Sequence, residues 1–227
     1  MDLDAHYNQL YTKSAQAISS NNYILDSKID DENDNRFGIT LLIRPPESIK
    51  NQIQLFLNEL KQEAPEQYYY PNSDIHITVL SIISCYDGFS LSQINPEEYI
   101  TIIQENLATL QNLEIHLSGI TASSSTIMIQ GFPTNDSLNS FRDSLRTAFK
   151  NTNLEHSIDS RYTLFTAHIS VCRFRKSIVN TEKLIPILEK YRTHDFGKFE
   201  VNELELVYND WYQKQEKTQV LHPFLVK

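Results

Sequence analysis

Asp74 to Ile82 reads DIHITVLSI and Thr166 to Phe174 reads TAHISVCRF, so histidine, apolar residue, hydroxyl and valine follow one another twice in one chain. Successive side chains on a β-strand point to opposite faces, which puts His76 and Thr78 on one face and Ile75, Ile77 and Val79 on the other. His168 and Ser170 repeat the relation against Ala167, Ile169 and Val171. At a rise of about 3.3 Å per residue, imidazole and hydroxyl stand roughly 7 Å apart, close enough to hold one phosphate between them. Two such strands set face to face would bracket a phosphate with two proton-transfer groups and two hydroxyls. A further match, EIHLSGI over Glu114 to Ile120, places His116 and Ser118 in the same relation. There Gly119 replaces the apolar residue that should follow, and His116 reads as structural.

The paired motifs resemble the signature of the two-histidine (2H) phosphoesterases, which include bacterial and archaeal 2'-5' RNA ligases and cyclic nucleotide phosphodiesterases. His76 and Thr78 match the first His-x-Thr/Ser-x motif, and His168 and Ser170 match the second, in the family's order. The second motif of that family often runs on to an arginine five residues after the histidine, where Arg173 stands. The resemblance covers the chain from about Arg36 to the C-terminus. It implies an α+β fold of two pseudo-symmetric lobes, with antiparallel sheets lining a central cleft and helices on the outer faces. It also implies 2',3'-cyclic phosphates or 2'-5' linkages as substrates.

The residues support that chemistry on their own terms. Imidazole titrates near pH 6.5, so at neutral pH one histidine can accept a proton while another donates one. In an in-line displacement at phosphorus, one would activate water or a ribose hydroxyl and the other would protonate the departing oxygen. Thr78 and Ser170 would hydrogen-bond the non-bridging oxygens where charge builds. Catalytic roles therefore fall on His76, Thr78, His168 and Ser170, with no metal and no cofactor required. The direction of reaction decides which histidine is the base, and hydrolysis and 2'-5' ligation both remain open. Two other classes compete: a nucleotide-binding module of the same fold without catalysis, and a metalloenzyme with His76 and His168 as ligands. The intact histidines and hydroxyls weigh against the first, and the lack of a third donor at a telling spacing weighs against the second.

Weaker candidates surround the pair. Arg173 matches the family position as a substrate-binding residue, although simple alternation puts it on the face opposite His168 unless the strand twists or ends. Tyr162 shares parity with His168 and could stack on a base, and Tyr68 and Tyr70 fall where a cleft rim would be. Cys172, on the His168 face by the same alternation, reads as a small filler, since no activating partner is evident.

Composition narrows the partners. The 227 residues carry a net charge of −9, which speaks against an extended nucleic-acid surface and toward a small nucleotide or RNA-end substrate. Hydrophobic residues at 40% and aromatics at 11% suffice for a sizeable core. Two cysteines offer neither a metal spacing nor a disulfide framework, and the first residues, MDLDAHYNQL, carry no leader pattern. No run approaches the ~20 apolar residues of a membrane span. A cytoplasmic monomer without membrane contact is expected.

The chain divides into residues 1–35, a helix and an acidic linker, and residues 36–227, the bilobal domain. Leu3, Tyr7, Leu10 and Ala17 predict the helix over about 3–19, and DSKIDDENDN, Asp26 to Asn35, reads as a surface loop. Phe37 to Ile43 alternates as a strand that stops at Pro45-Pro46, and Ile49, Ile53, Leu57 and Leu60 follow at helical spacing. Asn95-Pro96-Glu97-Glu98 starts a helix with a cap, a proline in the first position and acids in the first turn. Two strands, Leu113 to Ile120 and Thr126 to Phe132, precede a helix over Leu138 to Phe149. Beyond the second motif, Leu184 to Tyr191 predicts a helix that Pro186 either kinks or starts, and alternation resumes toward Val226. Each motif strand thus follows a strand or strand pair with an intervening helix, which suggests two lobes of related design.

Overall fold

Both sequence periods, 2 for strands and 3.6 for helices, are realised close to where they occur. The computed structural model describes residues 2–226 and runs α1 (Leu3–Ser19), β1 (Arg36–Ile43), α2 (Glu47–Glu63), β2 (Tyr68–Tyr69), β3 (Ile77–Asp87), α3 (Pro96–Asn106), β4 (Glu114–Ala122), β5 (Thr126–Pro133), α4 (Ser137–Lys150), β6 (Ile169–Arg173), α5 (Thr181–Lys190), β7 (Asp195–Glu200), β8 (Glu203–Asp210) and β9 (Gln219–Leu225), with three short 3₁₀ turns. Asp2 caps α1 by accepting from the Ala5 amide at 3.1 Å. Asn95 caps α3 with Pro96 in its first turn, as its sequence requires. Pro186 lies inside α5, which begins earlier because Asn180 accepts from the Lys183 amide.

The strands form two antiparallel sheets, one ordered β3-β1-β8-β9 and the other β2-β6-β5-β4-β7. The first motif sits at the edge of one sheet and the second motif inside the other. The architecture is α+β with two lobes facing a cleft, as the resemblance implies. The helices, however, are exchanged between lobes. α2 leaves β1 of the first sheet yet packs on β6 and β7 of the second, whereas α4 leaves β5 of the second and packs on β3 of the first. A single hydrophobic cluster therefore runs through both lobes, from Ile39 and Val79 to Leu117 and Val171. Each such side chain contributes about 1.5–3 kcal/mol by leaving water, so the two halves are held together by the same burial that forms them.

The motif strands are irregular where they approach the cleft. Ile127 and Met128 of β5 pair with Cys172 and Ser170 of β6, so Val171 is an extra residue, a β-bulge. β3 slips against β1 at similar points. α1 lies on the second sheet and reaches under it: the Tyr7 hydroxyl donates to the Gly131 carbonyl at 3.2 Å. Gly131 permits a close backbone crossing, since a Cβ there would run into the Ala167 carbonyl, next to His168. Both cysteines are free and buried. Among the described residues no helix is long and apolar enough to cross a membrane.

Candidate active site

His76, Thr78, His168, Ser170, Arg173, Tyr70 and Tyr162 all line one open cavity of about 240 Å³ where the two sheets face each other. Both histidines lie just before their strands, in the last residue before β3 and before β6, so each ring stands at the lip of its sheet. The turn leading to His76 is fixed from three directions. Arg44 donates to the Ser73 carbonyl at 3.0 Å, the Gln215 amide donates to Asp74 Oδ1 at 3.1 Å, and Ser73 donates to the same oxygen at 2.7 Å. His76 Nδ1 is 2.7 Å from the Asp74 carbonyl, which only accepts, so this nitrogen carries a proton and Nε2 is left for the cavity. His168 Nδ1 is held by the Thr166 hydroxyl at 2.8 Å, a partner that can either donate or accept, so this contact orients the ring without fixing which nitrogen carries the proton.

Burial pulls the pKa of each ring down to about 4. For His76 the Arg44, His168 and Arg173 charges add to desolvation, and the Asp74 carbonyl opposes it; for His168 the Arg142, His6 and Arg173 charges add. Without a ligand both imidazoles are therefore neutral at pH 7. An anion between them would reverse the balance, since an opposite charge a few ångströms away favours the protonated ring.

Arg173 differs from the alternation of the sequence for a physical reason. The extra residue Val171 restores it to the side of His168 and Ser170, where Nε donates to the Tyr70 hydroxyl at 2.8 Å and Nη1 meets Asp26 at 3.4 Å. The same bulge turns Cys172 the other way, into the core beside Tyr69, so it does not share the His168 face. Tyr70 is not a rim residue but is fully buried, holding Arg173. Tyr68 packs edge-on against it, 5.1 Å between ring centroids, outside the cavity. Tyr162 stands at the mouth with 66% of its surface exposed, on a loop rather than a strand, so strand parity does not govern it. His116 lies elsewhere, on β4, with Nε2 2.9 Å from Asp195 at the surface. Gly119 after it has φ +74, a bend open to glycine.

Three features were missed in the sequence. Arg142 of α4, fully buried, donates to the carbonyls of Thr78 and Val79 in one motif and of Thr166 in the other. Only its place on an otherwise apolar helix face, between Leu138 and Leu145, could have signalled it. Trp211, the only tryptophan, lies in the cavity wall between two guanidinium groups, Arg161 at 4.2 Å and Arg36 at 4.7 Å from the ring centroid. It follows β8 in an unpatterned stretch, where no period points to it. Asn209 and Gln213 beside it are buried, and Gln213 has φ +60, an unusual value for a residue with a Cβ.

The site thus combines two imidazoles, two hydroxyls, Arg173 and Arg161 around one open cavity, in a protein whose net charge is −9. Among the described residues no three His, Cys, Asp or Glu side chains converge as metal ligands. The AKAP7 2'5' RNA ligase-like domain model matches residues 38–218. No curated protein matches the chain in sequence. Among solved structures, a phosphoesterase superposes with a TM-score of 0.58 at 13% identity over 85% of this chain and 99% of its own. The protein TT0787 of Thermus thermophilus gives 0.57 at 14% over 83% and 97%. LigT of E. coli, in a crystal structure with 3'-AMP, gives 0.54 at 12% over 85% and 99%. At these identities the likeness is one of fold.

Proposed function

The chain belongs to the AKAP7 2'5' RNA ligase-like domain family, within the 2H phosphoesterases, and from that premise we propose that it is a metal-independent phosphodiesterase acting on 2',3'-cyclic phosphates or 2'-5' linked nucleotides and RNA ends. The observation that carries this reading is that His76 and His168, brought from separate sheets, present their rings to one cavity beside Thr78 and Ser170. His76, with its Nδ1 proton committed to the Asp74 carbonyl, offers an unprotonated Nε2; the same bond persists when the ring is doubly protonated, so it fits either partner of a proton transfer. One imidazole takes a proton from water or a ribose hydroxyl as that oxygen attacks phosphorus, and the other delivers one to the departing oxygen. Thr78, Ser170 and Arg173 hold the phosphoryl oxygens as charge grows on them. Run backwards, the same positions join a 2',3'-cyclic end to a hydroxyl, so hydrolysis and ligation share one geometry. LigT, bound to 3'-AMP in its crystal structure, is a precedent for a nucleotide in this fold. The partner expected is a small nucleotide or RNA end, and the protein is proposed to act as a cytoplasmic monomer. The experiment is a panel of 2',3'-cyclic and 2'-5' linked nucleotides with product identification, in EDTA. Turnover that survives the chelator supports the reading; turnover lost in EDTA and restored by Zn²⁺ or Mn²⁺ would make the histidines metal ligands instead.

A further inference from the structure

Segment 162–166, the approach to the second motif, borders two cavities. One is the cavity of the two histidines. The other, of about 490 Å³, lies between this segment and α1. The two share Tyr162, Leu164, His168, Ser170 and Arg173, whereas His76 belongs to the first alone. They therefore meet at His168, Ser170 and Arg173, the residues assigned above to the phosphoryl group, and the second does not reach His76.

The second cavity has a different character. His6 and Leu10 of α1 line it together with Phe165, with the His6 and Phe165 rings edge to face at 4.7 Å between centroids. Met128, a soft and adaptable filler, lies on the sheet side. Among the described residues Arg173, shared with the first cavity, is its one arginine, and no lysine lines it. Such walls suit a flat, uncharged ring rather than a phosphate. The wall from α1 also lies outside residues 38–218, the stretch the family model matches, so it is supplied by a part of the chain that the family pattern does not describe.

We propose that α1 and segment 162–166 build a second subsite that takes the nucleobase on the His168 side of a phosphodiester joining two nucleosides. A cyclic phosphate of one nucleoside fills a single compartment, whereas a diester with a ring on each side of phosphorus fills both. The nucleoside on the other side then lies in the first cavity, toward Trp211. This deepens the phosphodiesterase reading above and rests on it.

The test compares two substrates on the full chain, a 2',3'-cyclic mononucleotide and a 2'-5' linked dinucleotide. Two variants are used: Phe165→Ala removes an aromatic wall, and Leu10→Trp fills the groove from α1. In each the ratio of kcat/KM, dinucleotide over cyclic, should fall by about tenfold, the usual loss for one stacked base. A ratio unchanged in a folded Phe165→Ala protein overturns the subsite while leaving the phosphodiesterase intact. If wild type turns over neither substrate, the enzymatic reading fails, and calorimetric binding of the dinucleotide decides the subsite separately. An affinity about tenfold weaker in Phe165→Ala than in wild type supports it, and equal affinities or no binding by either protein overturn it.

Discussion

Arg142 donates Nη2 to the carbonyl of Thr166 at 2.8 Å, from a side chain with no exposure to solvent. The same guanidinium reaches the Thr78 carbonyl at 3.1 Å and the Val79 carbonyl at 2.8 Å. One group on α4 thus ties the first motif to the residue whose hydroxyl holds the His168 ring. Burial lowers its pKa to about 10, which still leaves it a cation at neutral pH and helps to keep His168 unprotonated.

Arg142→Lys tests this link. Lysine keeps the charge but offers one nitrogen in place of a planar fork, so carbonyls that Arg142 now satisfies would be left unpaired. A loss of about 1–3 kcal/mol for each is expected in urea unfolding, with turnover reduced in the fraction that remains folded. Unchanged stability would mean that the site is aligned by other contacts.

Replacing His76 or His168 by Ala should lower turnover by about 10²–10⁴, the usual worth of a general acid or base. The double variant should be little worse than either single one, because each partner's value depends on the other. Initial rates on the same cyclic and 2'-5' substrates provide the check; simple multiplication of the two losses would argue against concerted proton transfer.

The pH dependence has two parts with defined signs. Unfolded imidazoles titrate near 6.5 and these two near 4 in the folded protein, so between those values the unfolded chain binds more protons. Stability should hold above pH 6.5 and fall as pH drops from 6.5 toward 4, and His76→Ala or His168→Ala should flatten that fall. For activity, kcat/KM reports the free protein and should rise as pH is lowered from 7 toward 5, because one ring must be protonated. The bell of kcat should be centred nearer neutrality, since bound phosphate raises the imidazole pKa.

His116→Ala should leave turnover within a few-fold of wild type. Its ring pairs with Asp195 at the surface and does not line the cavity of His76 and His168. A loss as large as that of His76→Ala in a folded protein would mean that the wrong pair has been assigned.

What the sequence determined by itself is local. Period-2 alternation put His76 with Thr78 and His168 with Ser170, and the cap, proline and acids at Asn95 to Glu98 started α3, because these signals need only neighbouring residues. Gly119 separated the third histidine from the other two for the same reason. Tertiary structure alone decided what depends on an extra residue in a strand or on a crossing of distant segments. The Val171 bulge moved Arg173 to the cavity and Cys172 to the core, reversing the parity that alternation gives. The exchange of α2 and α4 between lobes brought Arg142 onto both motifs and joined the halves through one core, and the turn after β8 put Trp211 between Arg36 and Arg161. No period in the chain encodes these placements, because each is fixed by the packing partner that buries the residue and satisfies its hydrogen bonds, and that partner lies far away in sequence.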